Sequence, residues 1–244
     1  MRWIYLSPHL DDAVLSAGGL IYDQARSGIP VEIWTFMCGY PREEDVSPFA
    51  QMLHHMWGFS SAEETIRKRR EEDKQAAAIL GASVRHLDFP DCIYRRGADG
   101  EWLYTDVFTA PHPADAAFPF QIAAEITTRL QPEDVPVCQL SVGSHVDHVL
   151  VRQGAELIGR SLRYVIDVPY IFHKPEELSP KSAGMHESVH SITEAGLRSW
   201  KEAVLAYKSQ LPWLGEAFDT PETAHQSIHS YWARYGGIPL LQFR

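Results

Sequence analysis

The sequence predicts a three-layer α/β fold built on a mostly parallel, doubly wound sheet. Three observations carry that expectation. Short apolar runs recur along the first two thirds of the chain. Stretches of helical length separate them, the alternation that right-handed crossovers between parallel strands require. Hydrophobic residues make up 45% of the 244 residues and charged residues 22%, ordinary values for one well-buried domain spanning residues 1–244.

Residues 3–6 read as the first strand. Residues 12–26 follow as a helix with Ala13, Ala17 and Leu20 on one face, closed by Gly28. Residues 31–37 form the next strand. A strongly charged helix over 66–80 ends at Gly81 and leads to a strand over 84–89. A helix over 116–130 precedes a strand over 135–140, and a helix over 145–161 leads into a strand over 164–168. Near the C-terminus, Thr220-Pro221 starts a helix that Gly236-Gly237 ends.

Three segments break the rhythm. Residues 39–64 contain His54, His55, Trp57 and Phe59. Residues 90–113 carry Tyr94, Trp102 and Tyr104, and residues 173–191 are rich in Pro, Ser, Lys and His. Connections this long serve as lids or binding loops, so they are expected over the carboxyl edge of the sheet. The aromatic residues there either face a sugar or pin the loops to the core. His54, His55 and His112 read as loop histidines.

Composition narrows the partners. The net charge of −10 argues against nucleic acid. No apolar run approaches the ~20 residues of a membrane span. The first residues lack the pattern of a signal peptide. Cys38, Cys92 and Cys138 are odd in number and widely spaced, which fits reduced thiols in a cytoplasmic protein rather than disulfides or a Cys nucleophile. The expected partner is a small-molecule or glycoconjugate substrate. The sequence leaves the oligomeric state open, a homo-oligomer included.

Two runs carry the chemistry. Ser7-Pro8-His9-Leu10-Asp11-Asp12 follows the first strand, and Gly143-Ser144-His145-Val146-Asp147-His148 follows the strand over 135–140. Open α/β sheets place their active sites at the carboxyl ends of strands. His9 and Asp12 could converge on one point there. His145 and His148, spaced i, i+3, share a helix face, so one can bind metal while the other faces substrate. A catalytic zinc takes three such ligands and keeps a position for water, leaving Asp11 free as a general base. An Asp at a helix start is often only an N-cap, and a His at a strand end is often a structural group. Two such runs at two strand ends favour a metal site. The HxHxDH pattern of metallo-β-lactamase-like hydrolases is missing, because Gly143 stands where its first His would be. A nucleotide-binding reading fails too: no GxGxxG or Walker run follows the first strand, and Asp11 and Asp12 would repel phosphate.

These residues resemble the LmbE-like (PIG-L) family of zinc-dependent N-acetylglucosamine deacetylases. Pro8-His9-Leu10-Asp11-Asp12, with Gly18-Gly19 downstream, is similar to the family's PHxDD…GG signature, and His145-Val146-Asp147-His148 to its HxDH signature. Arg69-x-x-Glu72-x-x-x-Ala76-x-x-x-Leu80-Gly81 resembles the helix between them. Ala206-Tyr207-Lys208-Ser209-Gln210 is a weaker match, with Tyr207 in place of a His. The resemblance implies a Rossmann-like fold, His9, Asp12 and His148 as zinc ligands, and Asp11 as general base. It implies His145, in its protonated form, as the group that stabilises the oxyanion or protonates the leaving amine. It further implies that Asp147 orients His145 and that Arg69 contacts substrate. Zn2+ is the implied metal, and Fe2+ suits the same two-His, one-carboxylate set. The function so implied is removal of an N-acetyl group from an amino-sugar conjugate. A non-sugar N-acyl substrate is the nearest alternative, and a non-catalytic binding protein of the same fold the next.

Overall fold

Capping chemistry and apolar pattern divide residues 1–243, those described by the computed structural model, into alternating strands and helices. The first half contains β1 (Trp3–Ser7), α1 (Asp12–Arg26), β2 (Val31–Thr35), α2 (Pro48–Met56), α3 (Ala62–Leu80) and β3 (Ser83–His86). Then come α4 (Phe118–Arg129), β4 (Val135–Gln139), α5 (Val146–Leu157), β5 (Arg163–Val165) and the single turns α6 (Tyr170–His173) and α7 (Leu178–Lys181). The chain closes with β6 (Met185–His190), α8 (Glu194–Val204), α9 (Pro221–Tyr235) and β7 (Ile238–Phe243).

The strand order is β3-β2-β1-β4-β5-β7-β6. The first five strands are parallel, whereas β7 runs antiparallel to β5 and β6 antiparallel to β7. From β1 the chain winds outward through β2 and β3, then returns to β4 and winds the other way. Right-handed crossovers therefore place α1 and α3 on one face and α5 on the other. The contacts agree: α1, α3 and α8 pack together, and α4 packs on α5. The reversal falls between β1 and β4, the switch point where open α/β sheets bind ligands. Both His/Asp runs begin there.

Several sequence expectations shift. Segment 173–191, expected as a loop, ends in β6, an edge strand whose residues are mostly exposed and so lack an apolar pattern. Segment 39–64 contains α2, capped by Ser47, whose Oγ accepts the Ala50 N–H at 2.8 Å. The charged helix starts four residues early, at Ala62, because Ser61 accepts the Glu64 N–H. Neither α8 nor β7 had a counterpart in the sequence reading. All three cysteines are buried and unpaired.

Gly18-Gly19 acquires a packing role. Trp200 of α8 lies across α1 and donates its indole N–H to the Val14 carbonyl at 2.7 Å. A Cβ on Gly18 would sit 2.3 Å from Trp200 Cδ1, and one on Gly19 2.5 Å from Ile192 Cδ1. Alanine favours a helix interior over glycine by about 1 kcal/mol, but overpacking a core costs about 1–3 kcal/mol. Gly18→Ala should therefore lower the urea midpoint. A midpoint at or above wild type would show that Trp200 is not held against α1.

Candidate metal centre and active-site cavity

The turn after β1 is pinned by Ser7, whose Oγ donates to the His9 carbonyl at 2.7 Å and accepts the Ala13 N–H at 3.1 Å. This presents His9, Asp11 and Asp12 at the sheet edge. Asp12 Oδ2 accepts the His9 backbone N–H at 2.7 Å. Asp11 occupies the N-cap position of α1, yet its side chain makes no capping bond. Its Oδ2 lies 3.8 Å from Arg69 Nη2 instead. After β4, His145 caps α5, its Nδ1 accepting the Asp147 backbone N–H at 3.2 Å. Nδ1 is thus an acceptor, and the ring proton resides on Nε2.

The side chains of the two runs converge. Ring nitrogens of His9, His145 and His148 lie within 4.8 Å of one another. Asp12 stands between two of them, Oδ2 at 3.3 Å from His9 Nδ1 and Oδ1 at 3.2 Å from His148 Nε2. Four ligands held tetrahedrally around an ion at roughly 2.0–2.1 Å are spaced about 3.4 Å apart, so these separations suit ligands of one ion. Each imidazole is backed by a carboxylate on its other nitrogen: Asp147 Oδ2 is 3.1 Å from His9 Nε2, and Asp167 Oδ1 is 2.9 Å from His148 Nδ1. Metal-binding histidines are oriented in this way. His148 Nε2 is fully buried and has no hydrogen-bond partner, an orphaned atom that a cation would satisfy. The donor set fits a divalent metal.

Asp147 therefore differs from expectation. Its carboxylate orients His9, while only its backbone N–H meets His145. Three further groups had no place in the sequence reading. Asp167 also accepts the Val142 N–H at 3.0 Å, and its signal was the single charge inside the apolar run 164–168. Asp91 Oδ2 lies 3.7 Å from His9 Nε2, and Arg95 Nη2 pairs with Asp147 Oδ1 at 2.7 Å.

Burial and neighbours set the charges. Burial opposes protonation of His148, but Asp12 and Asp167 outweigh it and raise its pKa to about 9. Burial likewise opposes a charged His9, and Asp12 and Asp147 hold it well above the usual range. His145 goes the other way: burial, with His9 and His148 beside it, keeps it well below 6.5 and hence neutral, against the expectation of a protonated ring. Burial and the adjacent Asp12 push Asp11 up to about 6.

His9, Asp11, Asp12 and His145 floor a cavity of about 250 Å3 whose walls include Phe49, Leu53, Trp57, Phe108 and Tyr170. Arg69 is buried, its guanidinium 5.0 Å from the centre of the Trp57 ring, so it is no solvated surface charge. Of the loop aromatics singled out in the sequence, Trp57, Phe59, Tyr94, Trp102 and Tyr104, only Trp57 lines this cavity. Tyr94 bonds His54 at 2.6 Å, Tyr104 donates to Asp115 at 2.6 Å, and Trp102 lies under Arg96. The two weaker motifs meet each other: Glu72 accepts the Ser209 N–H at 2.9 Å and hydroxyl at 2.6 Å, and Tyr207 donates to Asp73 at 2.9 Å.

Fold and cluster together define a Rossmann-like α/β protein with a metal-competent pocket at the switch point of its sheet. The sequence profile of PIG-L, GlcNAc-PI de-N-acetylase, matches residues 4–158, and the chain belongs to that family. It is 26% identical to 2'-N-acetylparomamine deacetylase of Niallia circulans, over 89% of this chain and 84% of that one. The zinc-inhibited form of teicoplanin deacetylase Orf2 superposes with a TM-score of 0.83 at 26% identity, covering 99% of this chain and 97% of its own. The A40926 pseudoaglycone deacetylase Dbv21 gives 0.74 at 27% identity, with 99% and 95% covered. Among the described residues, no helix is long and apolar enough to cross a membrane.

Asp12 and Asp167 hold His148 protonated up to about pH 9, so a metal bound at His148 would have to displace that proton. Apparent affinity should rise as pH increases toward 9 and fall on acidification, and calorimetry in buffers of different ionisation enthalpy should register proton release. Binding independent of pH would place the metal elsewhere. Asp167→Asn, which removes the carboxylate behind His148, should weaken metal binding by about 10–100-fold.

Proposed function

We propose that this protein is a metal-dependent N-deacetylase that removes the acetyl group from an amino sugar joined to a carrier. One observation carries the reading. Two carboxylate-backed imidazoles flank Asp12, while Asp11, free of any capping bond, stands in the same cavity. The deacetylase activity named for the relatives supports the reaction class, and the N-acetylparomamine, teicoplanin and A40926 pseudoaglycone of their names support an amino-sugar conjugate.

His9, Asp12 and His148 would hold the ion, with zinc the first choice and iron(II) chemically acceptable. When bound there, the ion supplies Lewis-acid polarisation of the amide carbonyl and a more acidic water. Asp11 takes a proton from the attacking water as its oxygen bonds to the acetyl carbon. A pKa pushed up to about 6 suits a base that must later return that proton. Neutral His145 donates Nε2–H to the oxygen on which negative charge develops. Asp11 then protonates the nitrogen as the carbon–nitrogen bond breaks, giving acetate and a free amine. Arg69, beside Asp11 and stacked on Trp57, is assigned to the sugar hydroxyls.

Asp11→Asn should keep its metal while losing about 10²–10⁴ in kcat for amine release. His148→Ala should lose both metal and activity. A metal-loaded wild type that releases no amine from N-acetylglucosaminides, or an Asp11→Asn variant of wild-type rate, would overturn the reading.

A further inference from the structure

The cavity has two zones. Its polar members, among them the ionisable Asp11, Asp12 and Arg69 and the neutral His145, are buried at the floor. The mouth is apolar and open: Met56 is 39% exposed, Trp213 48% and Phe108 54%. Phe108 is no stray surface residue. Its ring packs edge-on against His145 and Tyr170, with centroids 5.7 and 5.8 Å apart, and the adjacent Val107 carbonyl accepts the Val146 N–H at 2.9 Å. Phe108 is thus fixed to the start of the helix that carries His148.

Volume decides how far a substrate can enter. The cavity measures about 250 Å3, below the roughly 300–1,000 Å3 of pockets that enclose a whole drug-sized ligand. One sugar ring with its acetamide can occupy the floor, and whatever it is attached to must rest on the rim. Three large apolar side chains half-open to water at one opening mark a surface made to be covered. None of these three side chains carries charge, so their contact surface itself favours an apolar partner over a polycationic one.

We infer that the carrier presents an apolar, aromatic face to Met56, Phe108 and Trp213, which makes these residues determinants of carrier specificity. The inference rests on the deacetylase reading for the position of the sugar. It names a carrier class: an aromatic or similarly flat apolar aglycone, not a polyamine-rich one.

The test compares metal-loaded wild type and Trp213→Ser on three probes: 4-nitrophenyl N-acetyl-β-glucosaminide, its methyl counterpart, and an N-acetylated polycationic aminoglycoside. Wild type should favour the aryl over the methyl glycoside by about tenfold or more in kcat/KM, mainly through KM. Trp213→Ser should collapse that ratio toward one. Equal kcat/KM for aryl and methyl glycosides, or a preference for the aminoglycoside, overturns the inference. Calorimetric binding of both glycosides to the Asp11→Asn variant separates the two readings. A retained aryl preference in binding without turnover of any probe by wild type would sink the deacetylase reading alone. Binding with no aryl preference would sink the carrier inference.

Discussion

Asp147 carries its negative charge with no exposure to solvent, and three partners share it. Its carboxylate meets His9 Nε2, accepts the Cys92 N–H at 3.0 Å, and pairs with Arg95. Arg95 extends the arrangement to Asp115 at 3.0 Å, and Asp115 accepts from Tyr104, whose hydroxyl in turn accepts the His112 N–H at 2.7 Å. Burying an ion costs several kcal/mol unless such partners compensate it. Satisfying Asp147 therefore ties together the start of α5, the turn at 92–95 and the loop that reaches Asp115. The position of His9 is a consequence of that compensation.

The same accounting describes the centre itself. Asp12 and Asp167 on one side, and Asp147 and Asp91 on the other, surround His9 and His148 with more negative charge than Arg69 and Arg95 offset. That surplus favours protonated imidazoles in the metal-free protein, against the burial that opposes them. A divalent cation that displaces two protons leaves the total charge of the cluster unchanged. The surrounding hydrogen bonds can then persist through metal exchange, with Asp147 and Asp167 holding the same ring nitrogens.

What the sequence made legible was local. The apolar runs at β1 and β4 ended in His and Asp, and that sufficed to put His9, Asp12, His145 and His148 at two strand ends, whose adjacency only the structure shows. Interactions between distant segments were not legible. Nothing near Asp147 in the chain indicates Arg95 as its partner or His9 as its target, because those contacts exist only once β1 and β4 lie side by side. The antiparallel edge was hidden for another reason. β6 is exposed along most of its length and needs only β7 as a neighbour, so it shows no period-two pattern and reads as a loop. Asp167 could have been found, since a lone carboxylate in the apolar run 164–168 must be satisfied by something. Asp91 and Arg95 sit in an irregular segment where no periodicity singles them out.

The origins of floor and rim differ in a way that bears on descent. Every proposed ligand comes from a strand end or the first turn of α1 or α5, held by the central sheet. Met56, Phe108 and Trp213 come from α2, from the segment between β3 and α4, and from the segment between α8 and α9. Such connecting segments tolerate insertion and replacement far better than the scaffold they join. An ancestral chain could therefore exchange its opening piece by piece while transmitting the chemistry intact, and new carriers could be recruited without rebuilding the reaction.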